Sequence, residues 1–224
     1  MASLAIPPYY RSGLAEVIKL NDEPFQELFS ALENMPPALY EKVLSAGLSS
    51  QVKSIPENVI DEIATAIFGM SLGRVGAEVS TSQFVDDVIQ SIETNNYEGL
   101  SLPNESRDSF RERLTSLLET NSLALGTKAY NILFEHGQNL TSFRILTDIR
   151  PIFREQVEEP LGAALIIHTL KVEYLQEGDT KEFFVAMDTK DIAQLMDVLK
   201  RAQAKEENLK SLLQATGVTY IDAE

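Results

Sequence analysis

Cysteine and tryptophan are absent from this 224-residue chain, and histidine occurs only twice. Without cysteine there is no disulfide framework, thiolate zinc site, iron–sulfur cluster or thiol nucleophile. Basic residues are also scarce: 19 Lys and Arg stand against 34 Asp and Glu, a net charge of −15. A balance of that sign leaves no broad basic surface to neutralise phosphates, so nucleic acid is not expected as a partner. No apolar run approaches the roughly 20 residues that span a bilayer, and no membrane insertion is expected. The opening MASLAIPPYYRSG has neither a charged start nor a long apolar stretch. It does not read as a secretory signal, and the expected location is cytoplasmic.

The length and the 44% hydrophobic and 24% charged fractions suit a globular protein of one large domain or two small ones. The acidity is spread along the chain. Residues 1–139 carry 9 basic and 19 acidic side chains, and residues 140–224 carry 10 and 15, giving −10 and −5. With no run of like charge, these side chains read as solvated helix faces.

Residues 1–20 are weakly patterned and are expected to form an extended arm. Residues 21–139 are punctuated like a helical domain of about six helices. Asn21 or Asp22 can cap a first helix with Phe25, Leu28, Phe29 and Leu32 on one face. Pro36 and Pro37 open a second, with Leu39, Tyr40, Val43 and Leu44 recurring before Gly47. Ser54-Ile-Pro-Glu57 and Ser80-Thr-Ser-Gln83 both read as capping boxes. The helices they open carry Ile60, Ile63 and Ile67, and Phe84, Val88 and Ile92. A helix from about Glu105 turns Phe110, Leu114 and Leu118 inward, and another runs from near Ser122 to His136-Gly137, where glycine can take a left-handed cap.

The pattern changes near residue 140. Residues 142–153 read as an extended segment interrupted by Pro151, which belongs at a sheet edge or bulge. Residues 162–175 alternate cleanly. Ala164, Ile166, His168, Leu170, Val172 and Tyr174 share one face, and Leu165 and Ile167 lie on the other with Thr169, Lys171 and Glu173. A turn over 176–180 leads to a returning strand, 181–187. Asp188 or Thr189 then caps a long helix with apolar positions at Ile192, Leu195, Leu199, Ala202, Leu209 and Leu213. Glu206 breaks that series and Gly217 ends it. The expected fold is therefore α+β: a helical bundle, then a small three-stranded antiparallel sheet and a long terminal helix over 140–224. Both faces of the middle strand are partly apolar, and one helix covers only one of them. The other needs the helical domain or a second chain.

Chemistry-bearing motifs are few. His136 near a helix C-terminus complements the dipole. His168 interrupts an apolar strand face, as a satisfied interior histidine or a switch at an interface. Neither belongs to a metal-binding spacing. Acidic neighbours such as Asp61-Glu62, Asp86-Asp87 and Glu158-Glu159 diverge by about 100° on a helix. Residues 69–76, with glycine at 69, 73 and 76, match no phosphate-binding pattern and read as a helix end and loop. Pro7-Pro8-Tyr9-Tyr10 fits the short pattern read by WW domains as a polyproline segment. Asn104 and Asn139 begin formal glycosylation sequons. No cofactor is implied.

The C-terminal pattern resembles a COMM domain. That family has a first strand with a Trp-Arg-aliphatic motif, a strand of alternating aliphatics, a turn, a third strand and a leucine-rich helix. Phe143-Arg144-Ile145 takes the place of the first motif, with phenylalanine where the family has tryptophan. Residues 164–174, 183–187 and 192–213 take the others, and a helical N-terminal domain precedes them as in the family. The resemblance implies a non-enzymatic assembly protein that pairs with itself or with a related COMM-like chain through its small sheet. The contact is then expected at Phe143, Ile145, Leu165, Ile167, Phe184, Leu209 and Leu213, with His168 and Arg144 as polar or switching groups. The competing expectation is a ligand-binding or enzymatic protein whose pocket lies between the helical domain and the sheet, with His168, Arg144 and Arg150 as its polar groups.

Overall fold

The computed structural model describes residues 4–156, 158–176 and 178–221. The chain is α+β. Seven α-helices come first: α1 (Pro8–Lys19), α2 (Asp22–Asn34), α3 (Glu41–Gln51), α4 (Glu57–Ala77), α5 (Thr81–Asn95), α6 (Arg107–Glu119) and α7 (Asn121–Phe134). The strands β1 (Asn139–Ile152), β2 (Ala163–Gln176) and β3 (Asp179–Met187) follow, and α8 (Thr189–Thr216) comes last. The chain divides into two compact units, one running to Leu133 and the other Phe134–Tyr220.

The helical unit is built around α4. Its buried residues include Ile60, Ile63, Ala66, Ile67, Phe68, Gly69 and Met70, which spread around the helix rather than along one stripe. Such a helix belongs in the middle of a bundle. α1, α3 and α6 pack on it, and α5 packs on α6. Phe84, Phe110, Leu14, Leu28, Leu32, Leu44 and Ile89 are fully buried in the shared core.

Residues 8–19 form a helix where an extended arm was expected. Pro8 sits in its first turn, where the missing N–H costs nothing. Leu14 and Val17 are fully buried against the bundle. The segment before it is also tied down: Tyr97 Oη accepts the Ile6 N–H at 3.0 Å, and Ser91 Oγ donates to the Leu4 carbonyl at 2.5 Å. Pro8-Tyr9-Tyr10 is therefore the start of α1 rather than an open polyproline ligand.

Several local signals are overridden by tertiary partners. Gly47 lies inside α3, where an added Cβ would fall 2.6 Å from Met35 Cε. The glycines at 69, 73 and 76 lie within α4, which runs through them to Ala77. Ser54 does not cap α4. Its hydroxyl donates to the Glu27 carboxylate of α2, which also accepts the backbone N–H groups of Lys53 at 2.8 Å and Ser54 at 3.1 Å. Ser80 does cap α5, accepting the Gln83 N–H at 3.2 Å, but the Gln83 amide donates to Asp87 instead of closing the box. α7 ends at Phe134, before His136, and Gly137 is not left-handed.

The second unit follows the expected order. β1, β2 and β3 form an antiparallel meander with β2 in the middle. Pro151 sits on the edge strand β1, paired with Ala164. A β-bulge falls between Leu140 and Ser142. Gly178, with φ of +88°, makes the turn into β3. Asp188 caps α8 in a full box with Asp191, and Gly217 closes the helix at φ +70°.

Candidate functional site

The strand register sorts the side chains of the sheet onto two different faces. Residues directly opposite in an antiparallel pair share a face. Ile149 opposes Ile166, Thr147 opposes His168, Ile145 opposes Leu170, and Phe143 opposes Val172. On the other side of β2, Val185 opposes Leu170, Phe183 opposes Val172, and Met187 opposes His168. One face is therefore almost wholly apolar. His168 interrupts its middle, with Thr147 Oγ1 2.8 Å from its Nδ1, and Tyr174 and Lys181 stand opposite one another towards one end.

The opposite face is mixed. Arg150 opposes Leu165, Asp148 opposes Ile167, and Leu146 opposes Thr169. Farther along, Lys171 Nζ pairs with Glu173 at 2.6 Å and with Glu182 at 2.5 Å, and Ser142 Oγ donates to Glu173 at 2.6 Å. The Glu173 bond and then the Glu182 bond push the Lys171 ammonium up from its ordinary value. Lys171, with Ser142 after it, holds the Glu173 carboxyl down. Phe184 lies beneath this network, 5.8 Å from Lys171 Nζ.

The expected contact residues are thus divided. Phe143 and Ile145 lie on the apolar face, and Leu165, Ile167 and Phe184 lie on the mixed one. The polar candidates are divided as well, with His168 on one face and Arg144 and Arg150 on the other. These three do not converge on one pocket.

No described residue of 134–220 is buried. The terminal helix, expected to cover one face of the sheet, covers neither. α8 borders β3, while Ile149 is 70% exposed, Ile166 57% and Phe143 63%. The helix is equally open: Met196, Val198, Leu199, Leu209 and Leu212 are all more than half exposed. Ile192, Leu199 and Leu213 share one seven-residue series and Leu195, Ala202 and Leu209 the other, so α8 presents an apolar stripe about 32 Å long, interrupted by Glu206. Composition alone does not show this exposure; the strand and helix patterns of this unit look the same whether or not a core covers them. Among the large apolar side chains exposed in the described residues, all but Tyr9, Leu125, Ile132 and Leu133 fall in this unit.

Among the described residues no group of three or more His, Asp or Glu is placed to hold a metal ion, and no helix is long and apolar enough to cross a membrane. No family model matches the chain, and no curated protein matches it significantly.

Proposed function

We propose that this chain is a non-enzymatic assembly protein of the cytoplasm that associates through its β1-β2-β3-α8 unit with a second copy or with a related chain of the same build. One observation carries the reading: a fully formed sheet and a 28-residue helix stand with no buried residue between them. Ordering backbone costs about 1–2 kcal/mol per residue. Backbone hydrogen bonds alone do not offset that, and the burial of apolar surface must. In this unit that burial has no source within the unit itself.

The chemistry of the open surfaces supports a protein partner. A standard pairwise interface removes roughly 800 Å² from each side, and the half-exposed isoleucines and phenylalanines of the apolar face supply area of that order. Exposed apolar patches of such size mark contact sites. The order of elements is also the one that the COMM-domain resemblance implies, and that family pairs through its small sheets. The chain's charge of −15 and its scarcity of reactive side chains fit a scaffold better than a catalyst.

Light scattering coupled to size exclusion tests the proposal. The full chain, or the chain with its partner, is expected to run as a dimer or larger at tens of micromolar. A folded monomer at that concentration, with the sheet intact by circular dichroism, would overturn association with a second copy, and the related-chain reading fails if the monomer also binds no chain of the same build.

A further inference from the structure

The helical unit holds a second feature that the assembly reading does not use. A concave pocket of about 370 Å³ is walled by Tyr10 of α1, Tyr40 beside the start of α3, Phe68 of α4 and Tyr130 of α7, with Glu41 and Lys42 also lining it. The Tyr130 ring stands at 88° to Tyr40 and 85° to Phe68, with centroids 6.1 and 5.9 Å apart. Tyr130 thus stands perpendicular to both other rings, as one wall of a corner whose floor is the buried Phe68. Tyr10 completes it because Gly69 has no side chain: a Cβ there would fall 2.1 Å from the Tyr10 ring.

We infer that this pocket binds the quaternary ammonium group of a small molecule of the choline class. Aromatic faces carry negative potential and attract a cation, most strongly one whose hydration is weak. A quaternary ammonium donates no hydrogen bonds and asks for none, so ring walls suit it better than they suit a primary amine. Glu41 supplies the complementary full charge beside the rings. Burial, then Tyr9 and the Glu41 carboxylate, raise the Tyr10 phenol to about 12, and burial followed by Glu41 raises Tyr130. Both phenols therefore stay neutral across the physiological range and offer a cation uncharged rings. Lys42, exposed like Glu41, also lines the pocket and opposes a bound cation, so the rings carry the preference and Glu41 offsets Lys42.

Calorimetry on the full chain, at low salt, with choline and with its uncharged tert-butyl isostere tests the site. Choline is expected to bind, and the isostere to bind about tenfold more weakly or worse. Glu41→Gln, at an exposed position that leaves the core alone, is expected to weaken choline by on the order of tenfold, and Tyr40→Leu by at least as much. Unchanged melting of both variants confirms that the fold is kept. Absence of choline binding at millimolar concentration, equal affinity for the neutral isostere, or insensitivity to both variants would overturn the inference. Tighter binding of a trimethyllysine peptide than of choline would overturn the small-molecule source. None of these outcomes depends on the oligomeric state, so this site and the assembly reading stand or fall separately.

Discussion

Ile149 of β1 and Ile166 of β2 stand directly opposite one another on the apolar face of the sheet, and they are 70% and 57% exposed. A cross-strand pair of large aliphatics left open on both strands is the apolar area on which the proposed association rests. Ile166→Asp places a charge at the centre of that face. It is expected to weaken association by on the order of 100-fold while leaving the helical unit folded. Sedimentation equilibrium across a concentration series measures the shift.

Leu165 provides the contrast. It opposes Arg150 on the mixed face, next to Asp148 and Ile167. In Leu165→Asp the new carboxylate faces that guanidinium across the strand pair, which is favourable by a few tenths of a kcal/mol to about 1 kcal/mol. Association is then expected to weaken by about tenfold or less. If Leu165→Asp dissociates the assembly as fully as Ile166→Asp does, both faces of the sheet are covered by partners.

Glu27 fastens the α3–α4 connection by accepting three hydrogen bonds from Lys53 and Ser54. The Ser54 hydroxyl and then the Lys53 N–H hold its carboxyl below the usual carboxylate value. A group depressed in the folded state stabilises the fold above its unfolded pKa, and that contribution disappears as pH falls through the folded one. Glu27→Gln is therefore expected to lower Tm at neutral pH. The gap between variant and parent should close in acid below the carboxylate range, as a series of thermal melts across pH would show.

Gly13 and Gly76 should respond in opposite senses to alanine. A Cβ at Gly13 would fall 2.0 Å from the Glu62 carbonyl and 2.7 Å from Ala66 Cβ, so α1 lies directly on the backbone of α4. Gly13→Ala has to push the helices apart and is expected to cost about 1–3 kcal/mol. Gly76 meets nothing within 4 Å and lies in the last turn of α4. Gly76→Ala is expected to stabilise by about 0.5–1 kcal/mol through helix propensity alone. Urea denaturation followed at a helical signal compares the two.

The acid-rich helical unit, the strand alternation of 162–175, the turn before β3, the Asp188 cap and the Gly217 stop are all legible in the sequence, because each rests on groups within a few residues of one another. What needed distant partners was not. The segment 8–19 has a helical spacing at Leu14, Val17 and Ile18, but its burial needs α4: Gly13 lets it rest on Glu62 and Ala66. Ser54 and Glu57 spell a capping box, yet it is Glu27, 27 positions away, that accepts both the Ser54 N–H and its hydroxyl. Alternation along β2 separates Leu165 from Ile166 by itself. Only the register with β1 and β3, though, places Phe143 and Ile145 on the Ile166 side and Phe184 on the other. The sequence thus determined the strands, the turns and most of the helices, segments 8–19 and 69–77 excepted, since local sterics and hydrogen bonding decide them. The tertiary structure alone decided which of their apolar faces are covered, since coverage depends on surfaces far apart in the chain: α1 to α6 bury theirs, while α8 and the sheet leave theirs open.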